Sequence, residues 1–305
     1  ELAGVSRATV SRVINQQPRV RPDTRERVTR IIRERGYQPN AAARTLASRH
    51  SRVVGFALPS RLSNLTAPYY SLILQGVTAA CDEHNFSLMI CPVTAVRRAG
   101  YEHVVRSGFV DGLVVTTASV GHDFLSWLHA QRFPFVLMGR DPQLPDINTV
   151  SADYEGGAAM AAQHLLWLGY DPIAIITGPA DHGGATLRRD AFLQTLDLAG
   201  APCSDDYVVE SDFTEHGGRQ AMTRLLSLDR PPRAVFCCAD LTAIGAIGAV
   251  RDAGLKVPAD VAIVGFDDIP IAASFQPALT TVRQPIVQIG YTATTTLFDI
   301  LESQW

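Results

Sequence analysis

Arg7, Ala8 and Arg12 lie within one short stretch, Gly4-Val5-Ser6-Arg7-Ala8-Thr9-Val10-Ser11-Arg12-Val13-Ile14-Asn15. Gly4 supplies a tight turn and Ser6 a natural N-cap, while Val10, Val13 and Ile14 form the apolar side of the helix that follows. That leaves Arg7, Ala8, Ser11 and Arg12 facing away from any core. A helix with guanidinium and hydroxyl groups on its open face suits the major groove: Arg forks onto a guanine edge, Ala packs on a thymine methyl, and hydroxyls hold phosphates.

A second group of residues falls at the ends of apolar runs further along. Tyr69 and Tyr70 follow the first run, Arg188 follows Gly178-Pro179, Phe213 follows Tyr207–Glu210, Asp240 follows Cys237-Cys238, and Asp267 closes Gly265-Phe266-Asp267. Aromatic faces with carboxylates and one guanidinium suit a polyhydroxylated or flat polar ligand, and a sugar fits best. Each position also has a plainer reading. Tyr69 and Tyr70 serve equally well as helix start and core filling, Asp240 as the cap of the next helix, and Asp153 as a structural residue. Enzyme signatures are missing: there is no G-x-x-x-x-G-K-[ST], no G-x-G-x-x-G at a strand–helix turn, no G-x-S-x-G, and no H-x-x-x-H for zinc. No catalytic residue, metal ligand or cofactor is expected.

Charge separates the two groups. Residues 1–52 hold twelve Arg and four acids, about +8, whereas the remainder holds 15 basic and 26 acidic groups. A basic head on an acidic body reads as nucleic-acid binding by the head alone. The single Lys, Lys256, leaves nearly all positive charge to Arg. The five Cys show no C-x-x-C and no pairing pattern, which points to a reducing compartment and a cytoplasmic protein. No apolar run reaches about 18 residues and no export leader is visible, so no membrane partner is expected.

The elements that position these residues follow from periodicity. Pro22-Asp23-Thr24 starts a helix with Val28, Ile31 and Ile32 on its buried side. Asn40 caps a short helix over 41–47, too short to hold in water by itself. From Arg52 onward strands and helices alternate. Strands are expected over 53–58, 87–93, 112–115 and 135–138, with helices over 69–84, 97–107 and 155–168. The pattern restarts with strands at 173–177, 207–209, 234–238 and 261–267 and helices over 188–199, 217–228 and 240–253. The fold class is therefore α/β, with two open parallel sheets in tandem and a cleft at the carboxyl ends of their strands.

The residues Val5-Ser6-x-Ala8-Thr9-Val10-Ser11-Arg12-Val13-x-Asn15, then Gly36-Tyr37-x-Pro39-Asn40 and Ala43-Arg44-x-Leu46, resemble the lactose/galactose-repressor family of bacterial transcription regulators. The resemblance implies a helix-turn-helix head over 1–39 and a hinge helix and linker over 40–52. A two-lobed, periplasmic-binding-protein-like core over 53–305 follows, with lobe 1 at about 53–152 plus 284–305 and lobe 2 at about 153–283. Arg7, Ala8 and Arg12 then read bases, Ser6, Thr9, Ser11, Asn15 and Tyr37 anchor phosphate, and Asn40, Ala43, Arg44 and Leu46 enter the minor groove, where Leu46 wedges between base pairs. Tyr69, Tyr70, Arg188, Phe213 and Asp267 line the effector site, with Arg188-Arg189-Asp190-Ala191-Phe192 standing where the family has Arg-x-x-Gly-aromatic. Asp240 is a further candidate beside Ala239, where many members carry Asn. The implied protein is a homodimeric repressor on a pseudo-palindromic double-stranded operator, controlled by a small carbohydrate. The alternative is a two-lobed solute-binding protein of the periplasmic type, which residues 4–47 contradict. Arg21 stands where the family has a capping Ser, and Arg35 where it has a core Leu. By comparison with the family, about ten N-terminal residues and the closing C-terminal strands are expected beyond this sequence.

Overall fold

The structure, a computed structural model, describes residues 3–14, 18–35, 50–59, 67–93, 98–116, 122–141 and 143–304. It divides into two compact units, Glu1–Ser51 and Arg52–Trp305. In the first unit, α1 (Arg7–Ile14) and α2 (Pro22–Glu34) pack through the buried Val13 and Val28. Ser6 caps α1 as its position predicts: Oγ accepts the Thr9 N–H at 3.2 Å. The start of α2 has Pro22 at its first position, but Arg21 at the N-cap makes no side-chain capping bond. One of the four orphan N–H groups of that turn therefore lacks the side-chain acceptor a Ser would give.

In the second unit, one five-stranded parallel sheet is built from β1 (Val53–Pro59), β2 (Ser87–Val93), β3 (Gly112–Thr116), β4 (Phe135–Met138) and β5 (Thr149–Val150), in the order β2-β1-β3-β4-β5. Its helices are α3 (Pro68–His84), α4 (Arg98–Arg106) and α5 (His122–Ala130). Residues of alternate parity enter opposite cores. Val54, Phe56, Leu58 and Val114 face one cluster, and Ala57, Leu113 and Val115 face the other. Burial on both faces explains why these strands read as unbroken apolar runs.

The chain then passes through α6 (Tyr154–Trp167) into a second parallel sheet of β6 (Ile173–Thr177), β7 (Val208–Glu210), β8 (Ala234–Cys237), β9 (Ala262–Asp267) and β10 (Thr280–Arg283), in the order β10-β9-β8-β6-β7. Helices α7 (Gly183–Leu198), α8 (Glu215–Leu226), α9 (Asp240–Asp252) and α10 (Pro270–Ser274) connect these strands. The final helix, α11 (Ile286–Gln304), returns to the first sheet and packs on α3. The two helices approach closely because Gly76 lies against the Val287 carbonyl and Gly290 against that of Ile73; a Cβ at either would collide with backbone.

Two details depart from the sequence reading and a third agrees with it. Helix α7 begins at Gly183, five residues before the expected start at 188, because His182 caps it: Nδ1 accepts the Ala185 N–H at 3.2 Å. Helix α5, the two-residue β5 and the short α10 were not among the expected elements, although Phe124, Leu125 and Leu128 form the buried side of α5 at helical spacing. Asp153 is the N-cap of α6, its Oδ1 accepting from Gly156 at 2.9 Å, the structural role expected of it.

Candidate functional site

Both sheets reverse their strand order partway across, at β1 in the first and at β6 in the second. Loops on either side of such a point leave in opposite directions and open a crevice at the strands' carboxyl ends. In the second sheet those loops carry His182, Phe213, Ala239-Asp240 and Asp267, and Arg188 lies in the second turn of α7.

Arg188 is the centre of this group. Its guanidinium lies over the rings of Phe266, Tyr154 and Phe213, at 4.8, 5.2 and 5.5 Å from their centroids. Nε donates to the Gly184 carbonyl at 3.0 Å, one turn back on the same helix. The residue is only 4% exposed, and the ring faces offset part of the cost of burying a cation. Its ion-pair partner is Asp267, with Nη1 to Oδ1 at 3.8 Å.

Asp267 occupies a backbone conformation at φ 126°, and Phe213 one at φ 63°. Side chains rarely adopt these regions, and such strain gathers at binding sites where the surroundings hold it. Phe213 fits because Gly178 has no side chain: a Cβ there would overlap the phenyl ring. The Phe213 ring also meets His182 edge to face at 5.1 Å. Burial pushes the Asp267 carboxyl up to about 7, against the opposing pull of Arg188. Burial likewise lowers His182 to about 4, so its imidazole is neutral and acts as cap and ring contact, not as a cation. Tyr69, from the first turn of α3 beyond the first sheet, interacts with Tyr154, Asp267 and Arg188, and its burial raises the phenol well above its ordinary value.

The structure thus brings Tyr69, Arg188, Phe213 and Asp267 together. Two expected effector residues make chiefly structural contacts, although Asp240 also lies against Asp267, whose carboxylate its backbone N–H serves. Tyr70 belongs to the hydrophobic core of the first sheet, meeting Tyr69 edge to face at 5.5 Å. Asp240 is fully buried and holds the fold: Oδ2 accepts the Ile269 N–H at 2.9 Å and Oδ1 the Thr281 hydroxyl at 2.5 Å. Desolvation of a carboxyl enclosed in this way raises it to about 6. Tyr154, Phe266, His182 and Gln284 were missed by sequence reasoning. The signal for Tyr154 was present, since it directly follows the helix cap Asp153; Phe266 read as strand interior.

In the head, Ala8, Ser11 and Arg12 are exposed and Val13 is buried, so the open face of α1 is the one its sequence predicts. Ser6 and Thr9 share a hydroxyl contact at 3.0 Å. The side chain of Arg7, and residues Asn15, Tyr37, Asn40, Ala43, Arg44 and Leu46, lie outside the described residues.

A second polar chain lies in the first sheet's half. Ser126 Oγ is 3.0 Å from His122 Nε2, and His122 Nδ1 is 3.0 Å from Asp141 Oδ2. Asp141 Oδ1 also accepts from the Gln143 N–H at 2.9 Å, so the chain ties α5 to the loop after β4. Among the described residues no group of His, Cys, Asp or Glu is placed to hold a metal ion, and no helix is long and apolar enough to cross a membrane.

Residues 1–40 match the family model for bacterial regulatory proteins of the lacI family, and residues 162–304 that for a periplasmic binding protein-like domain. The transcriptional repressor PurR of Proteus mirabilis is 35% identical over 301 residues, covering 97% of this chain and 87% of the relative. The regulator CelR of Thermobifida fusca is 37% identical over 299 residues, covering 95% and 86%. Among solved structures, the lac repressor dimer bound to operator and the anti-inducer ONPF aligns with a TM-score of 0.87 at 29% identity, covering 99% of this chain and 91% of that one. A CelR–cellobiose complex aligns with a TM-score of 0.76 at 34% identity, covering 100% and 92%.

Proposed function

Because the chain belongs to the lacI family of bacterial regulatory proteins and is a ligand-responsive, DNA-binding transcriptional regulator, we propose that it is a repressor whose cleft takes a small neutral carbohydrate. The observation that carries this is the loose pair of Arg188 and Asp267. A separation of 3.8 Å is beyond hydrogen-bond length, so both groups keep unused capacity, one to donate and one to accept. A hydroxyl group both donates and accepts, and several on one ring satisfy such a pair together while the sugar's apolar face rests on Phe213. Relatives bind ligands of this chemistry, as the CelR–cellobiose complex and a lacI-family regulator with bound ribose illustrate.

On the DNA side, the protein acts as a homodimer on a two-fold operator in the cytoplasm, by binding and not by catalysis. Arg7, Ala8 and Arg12 read bases, Ser6, Thr9, Ser11, Asn15 and Tyr37 hold phosphate, and the 40–47 segment, with Leu46 as wedge, joins head to body. The exposure of Ala8 and Arg12 beside the buried Val13 supports the reading face. Effector and operator then favour different lobe arrangements, a coupling of typically about 1–3 kcal/mol.

The test is a thermal-shift screen of the full chain against neutral sugars, purines and carboxylates. A sugar that binds at many times its dissociation constant raises the melting point by mass action, and the shift disappears in Asp267→Ala. A shift produced by purines or carboxylates alone would remove the carbohydrate assignment.

A further inference from the structure

His122 opens α5 after β3, and Asp141 lies three residues beyond β4, which pairs with β3 in parallel. Both therefore stand at the carboxyl edge of the first sheet, and with Ser126 they form a chain that runs from α5 to the loop after β4. The direction of this chain is fixed by what each group can do. A carboxylate only accepts, so Asp141 Oδ2 takes the hydrogen of His122 Nδ1 at 3.0 Å, and in the neutral imidazole Nε2 is left with a lone pair. Ser126 Oγ, 3.0 Å from Nε2, is then the donor. The carboxylate is itself oriented by the Gln143 N–H, which donates to Oδ1 at 2.9 Å.

Serines elsewhere on or just past the helices behave differently. Ser71, Ser107, Ser227, Ser274 and Ser303 each donate to a backbone carbonyl three residues back, whose oxygen is too weak a base to take the proton. A serine hydroxyl on an imidazole that a carboxylate holds in place is the arrangement that activates oxygen for attack. Solvent reaches it: the imidazole is 37% exposed, the carboxylate 10%, and Ser126 is half-buried. The first turn of α5, whose N–H groups have no acceptor within the helix, lies one turn from Ser126 and favours negative charge developing there.

We infer that Ser126 is a modification site, a nucleophile that accepts an acyl group from an activated ester or thioester, with His122 as its base and Asp141 as the residue that positions the imidazole. The bond from Oγ to the acyl carbon forms while His122 Nε2 takes the hydroxyl proton. The carbon–oxygen or carbon–sulfur bond of the donor then breaks, and the leaving oxygen or sulfur takes that proton from Nε2. Nothing is oxidised or reduced, and the product is an ester on Ser126 beside a neutral imidazole. The site shares no residue with the group around Arg188 and does not depend on the carbohydrate reading.

The experiment incubates the full chain with p-nitrophenyl acetate and follows acetylation of each serine by peptide mass spectrometry. Ser126 is acetylated at least about a hundredfold faster than the exposed Ser71 and Ser274, the size expected of a positioned base. His122→Ala brings Ser126 down to the rate of those two serines, and added imidazole restores Ser126 selectively over them, which a mere loss of packing would not allow. Asp141→Asn slows the reaction by about tenfold or more although His122 is still present. Acetylation of Ser126 no faster than that of Ser71 and Ser274 overturns the inference. So does a His122→Ala protein that reacts at the wild-type rate, or one whose lost rate imidazole does not restore. His122→Gln replaces the alanine variant in the rate comparison if that protein does not fold.

Discussion

Arg188 and Asp267 form an ion pair at 3.8 Å in which each partner is more than nine-tenths buried, yet neither is saturated by the other. Three aromatic rings surround the guanidinium, while Gln284 and the N–H of Asp240 serve the carboxylate. Burial of the acid without a tight counter-ion is what raises it to about 7.

That rise makes stability depend on pH in a stated direction. The folded protein holds the Asp267 proton more tightly than the unfolded chain, whose carboxyl titrates near 3.8, so the contribution is full below that value and is lost as pH climbs through about 7. Asp240, raised to about 6, adds a slope of the same sign. Denaturant unfolding should therefore show lower stability at pH 8 than at pH 5. The upper limit from Asp267 alone is about 4 kcal/mol. Asp267→Asn should flatten the slope, and equal slopes in the two proteins would show that another group is responsible.

Gly178→Ala tests how Phe213 is placed. The added methyl must displace a ring that lies against Arg188 and His182, while β6 itself stays intact. Overpacking of this kind costs about 1–3 kcal/mol, and effector affinity should fall by about tenfold or more as the stacking face moves. Phe213→Ala in the same background should cost nothing further. If the two changes are additive in ligand calorimetry, the methyl and the ring do not compete for space.

The parallel sheets were legible because both faces of each strand are buried, which leaves unbroken apolar runs such as Ile173-Ala174-Ile175-Ile176. The reading face of α1 was legible for the opposite reason, one buried face and one open. What escaped was set by long-range geometry. The resemblance placed Tyr69 and Tyr70 together in the site, but adjacent residues on a helix point about 100° apart, so Tyr69 reaches Arg188 while packing partly against the core in which Tyr70 is buried. The helix expected over 188–199 begins at Gly183, where the His182 imidazole caps it by accepting the Ala185 N–H. Gln284 carries no local signal at all. Its importance comes from Asp267, 17 positions away in the chain.

Asp240 separates structural acids from binding ones. Its oxygens join the start of α9 to α10 and β10 through Ile269 and Thr281, so Asp240→Ala leaves a buried N–H and a partly buried hydroxyl without their acceptor. The expected loss is about 2–4 kcal/mol of stability, with much of the effector affinity retained in whatever fraction stays folded. Asp267→Ala should show the reverse balance. Calorimetry and melting of the two variants side by side decide the matter. A ligand-blind but fully stable Asp240→Ala would return this carboxyl to the binding site.

Arg21→Ser addresses the head. Helix α2 already has Pro22 at its first position and Asp23 in its first turn, both favourable to a helix start, yet its N-cap side chain accepts no backbone hydrogen bond. A serine there offers an oxygen to the N–H two or three residues on, worth about 1 kcal/mol. The same change removes one positive charge from the N-terminal end of the helix dipole, which is stabilising in the same direction. Amide exchange at Val28 and its neighbours, measured on the full chain, should slow about fivefold. Affinity for a DNA fragment enriched from a random library by the wild-type protein should not rise in proportion, because Arg21 also contributes to the positive charge of the head, and its loss should lower the salt dependence of binding. If exchange in α2 is unchanged by the serine, the missing cap is not what limits the stability of that helix.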